Sequence, residues 1–193
     1  MLVPAVDTAL PVFASYDGDG EKILGVINEI LRINVPGTYL WLLVFYGFFH
    51  CWLNILAEVT YFADRSFYED WWNACTLSDY WRMWNKPTHL WLKRHVLQPL
   101  RARKYSPSVC VILVFAFSAV AHEYIISGAC RVFVLWTFLA MIVQAPILMG
   151  MELWRPLLVR TQLGNVGFWI GFSFLGGPLV TLIYTFQVAI KYN

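Results

Sequence analysis

A histidine and a glutamate stand side by side at positions 122 and 123, in a run from 109 to 126 with no other charged residue. Placing an ionisable side chain in such a run costs a few kcal/mol on insertion scales, so by default it faces protein or water and serves a function. On a helix, His122 shares a face with Ser118, Ala119, Ile125 and Ile126, a seam that includes small residues. Glu123 diverges from it by about 100° and points elsewhere. A neutral imidazole near pH 7 can take a proton from an attacking group, so general base catalysis is one reading of His122. The other is a structural histidine hydrogen-bonded to a neighbouring helix. A zincin-type metal site is excluded, because its second histidine would fall at position 126, which is isoleucine.

Two further groups carry polar chemistry. His50, Asn54 and Glu58 recur at i, i+4 and i+8, a stripe on one helical face that demands an interior partner and is read as interhelical hydrogen bonding. Residues 67–73, FYEDWWN, and 84–91, WNKPTHLW, set aromatics around Asp70 and Asn73. On composition alone they form an interfacial belt. Gln144 beside Pro146, and Gly176-Gly177-Pro178, mark a kink and a close helix approach.

The elements that must position these groups follow from composition. Of 193 residues, 59% are hydrophobic and 13% charged, too little charge to cover a water-facing surface. The low charge and 18% aromatic content exclude a disordered chain, and a net charge of +2 leaves no nucleic-acid footprint. The class is an all-α membrane protein with about four transmembrane helices, predicted over residues 39–57, 109–126, 132–151 and 166–190. Residues 1–38 read as a lead-in with one short helix, without the basic and apolar regions of a signal peptide. The four cysteines form no C-x-x-C pair and read as small buried hydrophobes.

The loop from 58 to 107 holds 8 of the 14 Lys+Arg and five of the ten Trp, which suits amphipathic helices at headgroup level and makes it cytoplasmic by the positive-inside rule. Thr76-Leu-Ser-Asp79 predicts a capping box opening one short helix, and Pro87 suits the first turn of a second that reaches about Leu97.

On these residues the chain resembles the membrane-bound O-acyltransferases, within them the branch of type-1 diacylglycerol and sterol O-acyltransferases. FYEDWWN is similar to that branch's FYxDWWN signature, and His122 in Ala121-His122-Glu123-Tyr124 matches the family's intramembrane histidine. The WNKPTHLWLKRH run, 84–95, is closer to the diacylglycerol enzymes. One departure is Gly177 before Pro178, where those enzymes commonly place glutamine.

The resemblance implies transfer of an acyl group from acyl-CoA to diacylglycerol in the endoplasmic reticulum membrane, with no cofactor and no metal. The alternatives are a sterol or wax-ester O-acyltransferase, or a truncated non-catalytic four-span module. His122 would be the general base, and Asn73 would bond the thioester carbonyl or hold the imidazole. Trp71, Trp72, His89, Glu123 and Gln144 are the expected substrate-binding residues. Anionic CoA would approach near Arg82, Lys86, Lys93 and Arg94. The resemblance covers nearly the whole chain, beginning at Leu2-Val3-Pro4, but matches only the C-terminal portion of the family, with residues 39–193 as the C-terminal part of its domain, so the chain alone is expected to show little activity. Its intramembrane polar groups then face lipid or drive association into a homo-oligomer.

Overall fold

The computed structural model describes residues 20–174 throughout, together with 11, 176, 180, 183, 184, 187, 188 and 191. Most of the first 19 residues, Gly177 and Pro178, and most of the expected fourth span past residue 174 lie outside the described residues. Every regular element among the described residues is helical.

Helix α1 (Gly20–Phe45) runs through Pro36, continues as a π-helical segment (Tyr46–Trp52) and ends as α2 (Leu53–Val59). The expected lead-in helix and first span are therefore one rod. Proline removes one amide hydrogen bond, yet in an apolar setting a helix still satisfies the remaining backbone groups better than an open break would. Tyr61, in a left-handed conformation, ends the rod.

The following segment is clipped to a later one by two backbone bonds, Glu69 N–H to Met83 O and Lys86 N–H to Phe67 O, at 2.8 and 3.0 Å. After a 3-10 turn (Trp71–Asn73) comes α3 (Leu77–Met83). The Thr76 hydroxyl oxygen accepts from Asp79 N–H at 3.2 Å, the N-cap expected from sequence, and its O–H donates to Asp79 Oδ2 at 3.0 Å, so the carboxylate meets the hydroxyl in place of the backbone N–H of a full capping box. Helix α4 (Lys86–Leu92) is capped by Asn85, which accepts from Thr88 N–H, with Pro87 in its first turn. A π-helical segment (Lys93–Leu97) and α5 (Gln98–Ala102) extend it.

Ser106 caps α6 (Pro107–Cys130), and α7 (Trp136–Leu153) returns beside it after a short turn, with Pro146 inside. Short α8 (Arg155–Thr161) leads into α9 (Leu163–Phe174). Ile27–Val59, α6 and α7 are long and apolar enough to cross a membrane, and α9 is a shorter apolar helix within the region expected to hold a fourth span.

Two cores hold the elements together. In one, Phe45 and Phe49 of the first rod pack with Trp71, Ala74 and Tyr80 of the loop and Phe168 of α9. In the other, Phe115 and Ala119 of α6 meet Met141 and Ala145 of α7. Trp81 packs against both. Asp79, 7% exposed, takes a salt bridge from Arg155 at 2.7 Å, tying α3 to the start of α8. That contact holds the Arg155 guanidinium above its ordinary pKa.

Candidate active site

Helix α6 carries His122 on an exposed face. Its Nδ1 lies 2.8 Å from the Ser118 carbonyl oxygen and 3.3 Å from the Ser118 hydroxyl. A carbonyl only accepts, so Nδ1 carries the proton in this arrangement and the neutral ring keeps its lone pair on Nε2. The bond is local to the helix. It sets the tautomer without engaging the nitrogen that could act as a base.

Glu123 faces the other way. It is 3% exposed, and its carboxylate accepts from the Ser127 and Tyr184 hydroxyls and from the backbone N–H groups of Leu135 and Phe138. The last two are the N-cap and third residues of α7. Leu135 sits in a left-handed conformation and has no side-chain oxygen, so α7 lacks a cap of its own. Glu123 supplies it from the neighbouring helix and sets negative charge at the positive end of α7. Expected at the substrate, Glu123 instead spends its oxygens on fixing the turn beside which His122 is mounted.

The signature stretch is fastened from two sides, by α9 and by Lys86. Asn165 of α9 donates to the Trp72 and Ala74 carbonyls at 2.8 and 3.0 Å, and the Trp169 indole donates to Trp72 O at 3.0 Å. Gly164 lies so close that a Cβ there would overlap the Cys75 carbonyl. At the other end, Lys86 pairs with Glu69 at 2.8 Å and holds that carboxyl below its ordinary range.

Within the stretch the two tryptophans part company. Trp71 is 1% exposed at the centre of the aromatic core, against Phe45, Tyr80, Phe168 and Phe172, and has no open face to offer a substrate. Trp72 is 39% exposed. Asn73 is also exposed, and its side-chain amide makes no hydrogen bond among the described residues, to His122 or otherwise. Its position on the clamped turn comes from its backbone N–H, which donates to Asp70 O at 2.9 Å.

The residue that links signature and histidine is Trp81 of α3. Its indole N–H donates to Gln144 Oε1 at 3.0 Å, and its ring meets His122 edge to face with centroids 6.5 Å apart. Gln144 in turn donates to the Ala140 carbonyl. Ring contacts run from Trp71 to Tyr80, Trp81 and His122 in sequence, so the signature is mechanically continuous with the histidine. The available signal for Trp81 was its i, i+3 spacing with Trp84, the C-cap of α3. Spacing of that kind identifies a face and leaves its occupant open.

His89 of α4 is half-buried, and burial, then the nearby Lys93 and Arg82 charges, lower its pKa. No hydrogen bond or ring contact among the described residues joins it to His122. The His50, Asn54, Glu58 stripe finds separate partners. His50 Nδ1 lies 2.9 Å from the Tyr68 hydroxyl, the Asn54 amide donates back to His50 O, and Glu58 pairs with Arg65.

Comparison with known proteins sets this geometry in context. The profile of the membrane-bound O-acyltransferase family matches residues 15–185. The chain is similar to diacylglycerol O-acyltransferase 1-2 of Oryza sativa subsp. japonica, 42% identical over 167 residues, which is 86% of this chain and 35% of that protein. It is 44% identical over 162 residues to diacylglycerol O-acyltransferase 1 of Arabidopsis thaliana, covering 84% of this chain and 31% of the relative. The Dictyostelium discoideum diacylglycerol O-acyltransferase 1 is 38% identical over 183 residues, 95% of this chain and 28% of its own length. The chain thus spans about a third of the length of the curated relatives it matches.

Proposed function

The chain belongs to the membrane-bound O-acyltransferase family, and from that premise we propose that it takes part in transferring a fatty acyl group from acyl-CoA to the hydroxyl of diacylglycerol, with His122 as general base. The observation that carries the base assignment is the Nδ1 contact to the Ser118 carbonyl, which leaves Nε2 as the acceptor. In the proposed step Nε2 takes the hydroxyl proton as the oxygen attacks the thioester carbon. The carbon–sulfur bond then breaks, and the departing thiolate recovers the proton as CoA. The Ser118 carbonyl continues to accept from Nδ1–H throughout, so the ring keeps its orientation during the transfer.

Asn73, with an unengaged amide on a clamped turn, is suited to donate to the thioester carbonyl as negative charge develops there. Trp72, Gln144 and His89 are the substrate contacts in this reading. Trp71 and Glu123 support the site through packing and capping. Arg82, Lys86, Lys93 and Arg94 offer positive charge to the CoA phosphates. Diacylglycerol as acceptor rests on the relatives' names, and the endoplasmic reticulum membrane follows as the place where such lipids would be made.

The test uses microsomes from cells expressing the protein from its full-length transcript, with radiolabelled oleoyl-CoA and diacylglycerol. Triacylglycerol formation is expected in the wild type and lost in His122→Ala, with acyl-CoA binding retained. Undiminished turnover in that variant would remove His122 from the chemistry. Transfer to a sterol or fatty alcohol in place of diacylglycerol would reassign the acceptor.

A further inference from the structure

From Tyr80 to His122 the sequence has no acidic residue but seven Lys and Arg. Two of them are paired to acids that precede this stretch, Arg82 to Asp79 and Lys86 to Glu69. The other five, Lys93, Arg94, Arg101, Arg103 and Lys104, are exposed and take no ion pair among the described residues.

Their placement divides them. Trp91 of α4 stacks on Phe117 of α6, with centroids 5.9 Å apart. These two rings lie equally far in sequence on either side of Lys104, so the α4–α5 rod and the start of α6 run antiparallel as a helical hairpin. Lys93 and Arg94 lie along its side, near His89 and the proposed CoA approach. Arg101, Arg103 and Lys104 sit at its tip. There Lys104 turns through a left-handed conformation and α6 begins at Pro107. Tyr105, 49% exposed, stands at the same level.

We propose that this tip, Arg101, Arg103 and Lys104, docks on the anionic phospholipid headgroups of the leaflet from which α6 enters the membrane. Three unpaired cations within six residues of an apolar helix long enough to span are held where headgroup phosphates lie. Nearby acids that would neutralise them are absent from the sequence. Juxtamembrane cations of this kind attract acidic lipids with an energy that decays over a Debye length. Tyr105 suits the same depth, since amphipathic rings collect at the membrane–water boundary. The proposal does not depend on what the chain catalyses.

Electron spin resonance of the full-length protein in phosphatidylcholine vesicles tests it, with spin-labelled phosphatidylglycerol compared against spin-labelled phosphatidylcholine as the lipid probe. The wild type should bind the anionic probe about three- to fivefold more strongly at low salt, with the preference fading as salt rises. Arg101→Gln/Arg103→Gln/Lys104→Gln should bring the ratio close to one, and Arg101→Lys/Arg103→Lys should restore it. Equal association of both probes with the wild type, or an unchanged preference in the glutamine triple variant, would overturn the proposal. So would displacement of the anionic probe by excess free CoA, which would reassign these cations to the soluble substrate.

Discussion

The Trp81 indole N–H donates to the Gln144 side-chain oxygen over 3.0 Å, joining residues 63 positions apart while the same ring lies edge to face with His122. One side chain thereby joins α3, α6 and α7 and orients the Gln144 carboxamide.

Trp81→Phe keeps an aromatic ring against Phe115 and His122 and removes only the donor. A net hydrogen bond is worth about 1 kcal/mol, so kcat in the triacylglycerol assay should fall about fivefold with little change in expression. Trp81→Ala opens the junction of both cores and should cost far more. An unaltered kcat in Trp81→Phe would show that the bond to Gln144 has no catalytic consequence.

Much of the scaffold was legible because its signals are local. Thr76 and Asp79 announce a cap within four residues, and Pro87 announces the first turn of the next helix. The continuity of α1 across residue 38 was hidden, because the uncharged run long enough to span begins only at Tyr39, and the mixed residues before it read as a separate short helix. The task of Glu123 was equally hidden. Its donors at Leu135, Phe138 and Tyr184 are brought to it by the turn and by a distant segment, neither of which periodicity encodes. Direct sequence evidence also stopped short of Trp81, whose importance lies in bridging two cores.

Glu123→Ala should destabilise the α6–α7 pair by about 2–4 kcal/mol, since two backbone N–H groups and two hydroxyls lose their acceptor together. Thermal aggregation in mild detergent is the measurement. Glu123→Gln keeps a carbonyl acceptor and should fall between the alanine variant and wild type. A Tm for the alanine variant equal to wild type would mean that water replaces the carboxylate at no cost.

Gly164→Ala should separate α9 from the signature turn, because a Cβ there overlaps the Cys75 carbonyl, which is backbone and cannot rotate away. Overpacking of this kind costs about 1–3 kcal/mol. The Asn165 bonds to Trp72 and Ala74 should lengthen with it, raising hydrogen exchange at 71–75. Exchange identical to wild type would show that the turn holds without α9.

Acidification should weaken the loop through His89. Its folded pKa lies below the ordinary 6.5, chiefly because burial opposes the charged ring. The folded state therefore binds fewer protons than the unfolded one, and stability rises with pH across the interval between the two values. The contribution is complete above 6.5 and is lost as pH falls through that value toward the folded one. With the ring half exposed, it amounts to less than about 1 kcal/mol. His89→Gln should flatten the pH dependence of Tm in this range, and a slope equal to wild type would place its origin elsewhere.

The clamp on the signature has a consequence for biosynthesis. Trp72 O waits for donors that lie 93 and 97 positions later in the chain, whereas the bond from Leu135 to Glu123 closes a loop of only 12. As the nascent polypeptide leaves the ribosome, the α6–α7 pair can therefore close first, while the turn bearing Asn73 stays without the donors of α9. At translation rates of about 5–20 residues per second, that interval lasts roughly 5–20 s. The protein passes this time with its aromatic centre assembled on one side only, and the docking of α9 is the event that completes it.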